Sequence, residues 1–276
     1  MLVTTPHIFT KERSSYHGHY IRNRPNFKGF YCKWGFLHSR SCPGCPPCPF
    51  MVLPDGILKT ENRIFTERAA MIIYGKTEMD YISSKDPVMK ELVAHYGHLE
   101  AGAPMDIFES LVNHIIGQMI SDKVRYVIDG RVRKAAGTMT PEALLALGNE
   151  KLRACGLSGR KVEYILGLSR KVKEGSLRFD DFETMRDEEI IKRLTALRGI
   201  GTWTAEMIAQ FTLGRPDIFC KYDQALKNGM MKAHGFRTLS DLRFNRYKKK
   251  YSPCGSIASL YYYAVNDDES GWRPVK

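Results

Sequence analysis

From Met71 to about Asn266 the apolar residues recur every three or four positions, as in Ile107, Phe108, Leu111, Val112, Ile115 and Ile116, and strand-like alternation is nearly absent. That period lines one face of a segment with apolar side chains only if the segment is a helix, because a strand turns successive side chains to opposite sides. The punctuation agrees. Asp86-Pro87, Thr140-Pro141 and Asp187 stand where a side-chain acceptor or a first-turn proline begins a helix. Gly97, Gly148, Gly156, Gly199 and Gly235 stand where helices stop. No repeat of roughly 20–50 residues is sustained, so a solenoid is disfavoured and a compact all-α bundle is expected.

The 276-residue chain changes character near residue 70. Residues 1–70 hold seven of the 13 prolines and four of the seven cysteines, and the run SCPGCPPCPF is too proline-rich for a helix or a central strand. A loop-rich or disordered extension over 1–70, a helical domain over 71–265 and a tail over 266–276 are expected. The two-residue gaps among Cys42, Cys45 and Cys48, with Cys32 upstream, permit a tetrahedral thiolate metal site without requiring one. The competing readings are a disordered tail, or a physiological start at Met51 or Met71.

Lys and Arg number 42 against 30 Asp and Glu, a net charge of +12, which favours a polyanionic partner, nucleic acid ahead of an acidic membrane surface. No run approaches the roughly 18 apolar residues of a membrane span. The first residues lack the apolar core of a secretory signal, so the expected location is a reducing cytoplasm, at the nucleoid in a bacterium.

The most informative stretch is LTALRGIGTWTAEMIAQFTLG, residues 194–214, which reads as helix, tight hairpin, helix. Gly199 and Gly201 flank Ile200, so positive φ is available twice while Ile200 plugs the angle between the helices. The turn exposes amides at the start of the second helix, where the dipole favours an anion and a DNA phosphate fits without any base being read. A lone GxG is a weak signal; the flanking helices and the T-x-T-A continuation make this one much stronger.

With Leu197, Gly199-Ile200-Gly201, Thr204-Ala205 and Asp223, which stands 22 residues beyond Gly201, the chain resembles the helix-hairpin-helix superfamily of DNA glycosylases. GLSGRKVEYI, residues 156–165, is similar to the family's preceding turn, and FESLVNHIIGQMIS, residues 108–121, to its long helix with a buried Gln. Members that also nick the strand carry a lysine nucleophile where this chain has Trp203, and without that amine no Schiff base forms. Only Cys220 and Cys254 lie beyond residue 155, so the four-cysteine cluster of two other branches is missing. What remains resembles the alkylation-repair branch, 3-methyladenine DNA glycosylase II, in a short form without that enzyme's N-terminal β-rich domain.

The resemblance implies a two-lobed helical bundle, with residues 71–105 and about 213–265 in one lobe and 106–200 in the other. It implies a monomer without cofactor that flips alkylated purines of the 3-methyladenine and 7-methylguanine type out of damaged double-stranded DNA and hydrolyses them, with no lyase step and no membrane partner. Asp223 is then the catalytic carboxylate; its plainer role is a helix N-cap, and both can hold together. Gly199, Ile200, Gly201, Thr202, Thr204 and Lys161 would bind DNA, Met119 would wedge the stack with Ile120 as competitor, and Trp203, Tyr222 and Gln118 would line the base pocket. Met207 stands where that branch commonly has a tyrosine. The basic run RYKKKY, residues 246–251, is either a phosphate contact or a solvated face, and Tyr261, Tyr262 and Tyr263 are expected in the core. Three readings compete: a non-enzymatic helix-hairpin-helix DNA clamp, a glycosylase of another base specificity, and a metal-organised N-terminal module carrying a degenerate catalytic domain. Asp223 and Trp203 facing one pocket would separate the enzyme from the clamp.

Overall fold

The structure, a computed structural model, describes residues 21–22, 72–101, 105–268 and 272. Among these the chain runs through α1 (Lys76–Lys85), α2 (Pro87–Tyr96), α3 (Ile107–Gly117), α4 (Asp122–Ala136), α5 (Pro141–Ala154), α6 (Gly159–Lys173), α7 (Asp187–Thr195), α8 (Thr202–Met207), α9 (Gln224–His234), α10 (Asp241–Tyr251) and α11 (Gly255–Asp267). The caps follow the sequence closely. Asp86 accepts from the Val88 amide at 2.9 Å and Thr140 from the Ala143 amide at 3.3 Å, each followed by its N1 proline. One expectation needs correcting: Arg186, not Asp187, occupies the cap position of α7. Gly148 does stop a helix, since its φ of 68° and ψ of −174° divide α5 into two helical pieces at a kink.

Ile21–Arg22 (β1) pairs antiparallel with Glu100–Ala101 (β2). The N-terminal extension therefore has regular structure at these two positions, because the extended backbone after α2 offers unpaired amides and carbonyls that a passing strand can satisfy. Most of the extension, including Cys32, Cys42, Cys45 and Cys48, lies outside the described residues, as does most of the tail after 268. No helix of the described residues is long and apolar enough to cross a membrane.

The buried side chains form two cores, as two lobes require. One gathers α1, α2, α9, α10 and α11 around Leu92, Phe219, Leu226, Met230 and Tyr261–Tyr263; the other gathers α3 to α7 around Leu111, Ile116, Val162, Ile165 and Leu194. α8 and the π-helical turn Ile208–Thr212 that continues it belong to both, since Met207 and Phe211 enter the first core while Ala205 and Ile208 enter the second.

In the first lobe, Tyr251 Oη bonds Tyr262 Oη at 2.7 Å and Asp86 Oδ2 at 3.1 Å, and His234 Nε2 lies 2.9 Å from Tyr262 Oη. This network ties α2, α9, α10 and α11, and so fixes the helix whose first turn carries Asp223. Lys250 reaches Asp86 at 2.8 Å and Tyr251 is fully buried, so the end of the basic run turns inward rather than forming one solvated face. α9 and α11 come together at Gly229, where an added Cβ would fall on the Tyr262 carbonyl.

Candidate active site

The hairpin closes with the Ile200 amide donating to the Leu197 carbonyl at 3.0 Å, and Gly199 takes φ 91°, a region closed to most side chains. The Tyr164 ring lies against Gly199 so closely that any Cβ there would collide with it. Ile200 is buried in the second core, as a plug should be, so it can offer a ligand only its backbone. Gly201 departs from expectation: it has φ −93°, as N-cap of α8, and its missing Cβ would meet nothing within 4 Å. Only the first glycine is needed for the turn itself. The second keeps the surface flat in front of the amides of Thr202, Trp203 and Thr204, which precede the first intrahelical bond of α8, from Ala205 to Gly201. Thr202 is exposed, but the Thr204 side chain is buried, so of Thr204 only the backbone amide could meet a ligand.

α3 ends at Gly117, before the end of the expected long helix. Gln118 is half-buried rather than buried, and its Nε2 donates to the Gly199 carbonyl at 2.7 Å. Its amide thus clamps the turn to the hairpin, and Gln118 also lines the cleft beside Met119. Lys161 is likewise committed, its Nζ donating to the Ile116 carbonyl at 2.8 Å, and partial burial holds its pKa below the usual lysine range. The lysine caps the C-terminus of α3.

Between these clamps Met119 stands 93% exposed with φ 58°. It is the one non-glycine residue with positive φ among the described residues, a strained conformation that persists only where the surroundings enforce it. The next residue, Ile120, is half-buried and packs against the second core. Beside Met119 a cleft of about 450 Å³ opens, lined by Ser158, Arg160, Lys161, Tyr164 and Gly199 among others.

Asp223 is the N-cap of α9 and has no exposed surface. Oδ1 accepts from the Leu226 amide at 2.8 Å, and Oδ2 accepts from Trp203 Nε1 at 2.8 Å. The two residues singled out by sequence thus meet directly, joining the start of α8 to the start of α9. His114 of α3 meets the Trp203 ring edge-on, with centroids 5.9 Å apart. Burial, and after it the charge of Arg125, lower the His114 imidazole to about 4, so it is neutral at physiological pH. Tyr222, expected as a second wall, is 64% exposed beside Asp223 in sequence. His114 and Glu206, a buried acid one turn along α8 from Trp203, were not found from sequence. Nothing in the sequence marked Glu206, because α8 also carries the polar Thr202 and Thr204 and so does not read as a helix buried on every side.

Residues 112–251 match the family described as HhH-GPD superfamily base excision DNA repair protein. The chain belongs to the HhH-GPD superfamily. Within the superfamily it stands with the alkylation-repair, 3-methyladenine glycosylase II-like branch. YfjP of Bacillus subtilis is 30% identical over 177 residues, which span 59% of this chain and 61% of YfjP. The crystal structure of a DNA-3-methyladenine glycosidase from Bacillus halodurans superposes with a TM-score of 0.65 at 31% identity, over 71% of this chain and 92% of that one. Schizosaccharomyces pombe 3-methyladenine DNA glycosylase (Mag1), solved in complex with abasic DNA, superposes with a TM-score of 0.62 at 26% identity, over 68% of this chain and 95% of that one. The HhH-GPD match covers the second half of α3, the hairpin and the Asp223 turn, the three segments that build the candidate site.

Proposed function

We propose that the protein is a monofunctional DNA N-glycosylase that binds double-stranded DNA as a monomer, flips alkylated purines of the 3-methyladenine and 7-methylguanine type, and hydrolyses them from the sugar. The observation that carries this reading is the hydrogen bond from Trp203 Nε1 to Asp223 Oδ2, which couples an aromatic face to a buried carboxylate. A plain DNA clamp has no use for that pair. The relatives named for DNA-3-methyladenine support the choice of lesion.

The chemistry follows from the placement of these groups. A purine methylated at N3 or N7 carries positive charge, which weakens its bond to C1′. The ring of Trp203 stacks on such a cation favourably. As the C1′–N bond breaks, its electron pair leaves with the base and the sugar acquires oxocarbenium character. The Asp223 carboxylate, held in a desolvated setting by two donors, stabilises that charge without reorganising. Water then adds its oxygen to C1′ and releases a proton. The amides before α8 hold a backbone phosphate, while Met119 enters the stack vacated by the flipped base. Incubation with alkylated duplex DNA should release free methylated bases without strand nicking; no free base after exhaustive incubation would reject the reading.

Met119→Gly tests the wedge separately. Glycine removes the cost of positive φ but adds backbone freedom to the unfolded chain, so stability should stay within about 1 kcal/mol of wild type. Excision from a fully paired duplex should fall by about 10-fold, an order-of-magnitude figure for losing the filler of an unstacked step. Excision from an unpaired lesion should change little. Equal losses on both substrates would place Met119 outside the stack.

A further inference from the structure

His114 is a polar group at the site that the chemistry above leaves unused. It stands one turn before Gln118, hence on the side of α3 that Gln118 ties to the hairpin through the Gly199 carbonyl. Its imidazole is half-buried and crosses the Trp203 indole at 81°, with ring centroids 5.9 Å apart. The indole is held in turn by its bond to Asp223 Oδ2 at 2.8 Å, so imidazole, indole and carboxylate are joined in series from α3 through α8 to the start of α9. No hydrogen bond among the described residues uses either nitrogen of the His114 ring, and neither nitrogen is one of the enclosed atoms left without a partner. Both therefore keep surface that a ligand can reach, on a ring that borders the indole. A side chain that only packed against Trp203 would need no polar atoms, which cost free energy wherever they lose water without gaining a partner.

We propose that His114 is a specificity-determining residue: it hydrogen-bonds the edge of the base stacked on Trp203, and by exchanging its tautomer it serves adenine-type and guanine-type lesions alike. This deepens the glycosylase reading and rests on it. Stacking on the indole is indifferent to what the edge of a base carries, because every base has a π-face. The edge has to be read by something else. A neutral imidazole has one N–H donor and one bare acceptor, and either nitrogen can take either role. An adenine-type base carries an amino group at C6, from which the bare nitrogen accepts; a guanine-type base carries a carbonyl there, to which the N–H donates. A lysine in this position would serve only the carbonyl, and a carboxylate only the amino group. Burial, and more weakly the charge of Arg125, keep the ring neutral at physiological pH, so it also does not repel a purine made cationic by methylation.

Duplex DNA treated with a methylating agent carries both lesions, so the release of 3-methyladenine and of 7-methylguanine can be followed in one reaction. His114→Phe keeps an aromatic ring against the indole and deletes both nitrogens. Single-turnover release of each base should fall by about 10-fold, the worth of one hydrogen bond. His114→Gln restores a donor and an acceptor that exchange by rotation of the amide, and should recover both rates to within about 3-fold of wild type. The direct readout is the pair of imidazole ¹⁵N resonances of His114, assigned by their loss in His114→Phe, in the complex with duplex DNA holding an abasic-site analogue. The nitrogen that meets the base should resonate as a bare acceptor when free 3-methyladenine is added and as a protonated donor when free 7-methylguanine is added. Wild-type release of both bases by His114→Phe, or imidazole resonances unmoved by either base, would overturn the proposal and leave the glycosylase reading standing. A loss that His114→Gln does not recover, accompanied by a displaced Trp203 indole resonance, would make His114 a packing residue and overturn it as well. If His114→Phe does not fold, assignment passes to His114→Gln and the imidazole measurement decides alone. Should wild type release no base while its imidazole responds to both, base recognition by His114 stands and the glycosylase reading falls.

Discussion

In Asp223→Asn, base excision falls by about 100-fold or more while duplex DNA is bound as tightly as by wild type, or slightly more tightly. The estimate is that for removing a preorganised charge which acts only on the transition state. Losing a negative group near phosphates can only help binding. The N-cap survives, because an asparagine Oδ1 can still accept from the Leu226 amide at the position Asp223 Oδ1 now holds. The other half of the side chain does not survive as well. Its new Nδ2 would face the Trp203 Nε1–H that now points at Oδ2, donor against donor. Trp203→Phe supplies the control, since it deletes that donor and keeps an aromatic ring. If the loss in Asp223→Asn came only from a displaced tryptophan, Trp203→Phe would match it; a drop of about 10-fold or less is expected instead, the worth of one hydrogen bond. Single-turnover rates at saturating enzyme, taken beside melting curves, separate the cases. Full activity in Asp223→Asn would assign the chemistry to another residue.

Gly229→Ala should be strongly destabilising. At Gly229 the new Cβ would overlap the Tyr262 backbone carbonyl, and a carbonyl inside a helix cannot swing aside as a side chain can. α9 and α11 must move apart, opening the core that holds Tyr261, Tyr262 and Met230. A destabilisation of about 3 kcal/mol is expected, seen as a midpoint lowered by roughly 10 °C. Gly130→Ala in α4 makes the matched comparison, because its Cβ would meet nothing within 4 Å. It should stabilise by about 0.5–1 kcal/mol, as alanine does at an open helical position. Thermal unfolding of the two variants should therefore move in opposite directions, and a neutral Gly229→Ala would contradict the close approach of α9 to α11.

Local pattern carried far in this chain, and its limit is instructive. Helix starts at Asp86 and Thr140, the plug at Ile200 and the meeting of Trp203 with Asp223 were readable from spacing or motif, and Met119, marked out by resemblance, stands exposed. Each depends on neighbours in sequence or on a pattern that encodes a fixed fold. What the sequence hid is how polar side chains spend their hydrogen bonds across the fold. Gln118 and Lys161 look like free polar groups near the hairpin, yet Gly199, 81 residues away in sequence, takes the amide, and Ile116, 45 residues away, takes the ammonium. Thr204, too, turns its side chain into the protein. Gly201 shows the reverse: the motif demands glycine, while the turn uses positive φ only at Gly199. The motif at Gly201 preserves room for something outside the chain.

The segment that begins at Thr202 feeds side chains to both cores, Met207 and Phe211 to one and Ala205 and Ile208 to the other. Neither half can therefore open as a separate foldon without pulling its own wall out of the other. Amide exchange from Ala205 onward along this segment should require global unfolding, so that those protons are among the slowest in the described residues. The arrangement also makes the site a poor place to buffer damage. A substitution deep in either lobe, far from DNA, reaches the start of α8 through this one shared rod, and the register of Trp203 against Asp223 is inherited from the stability of the whole.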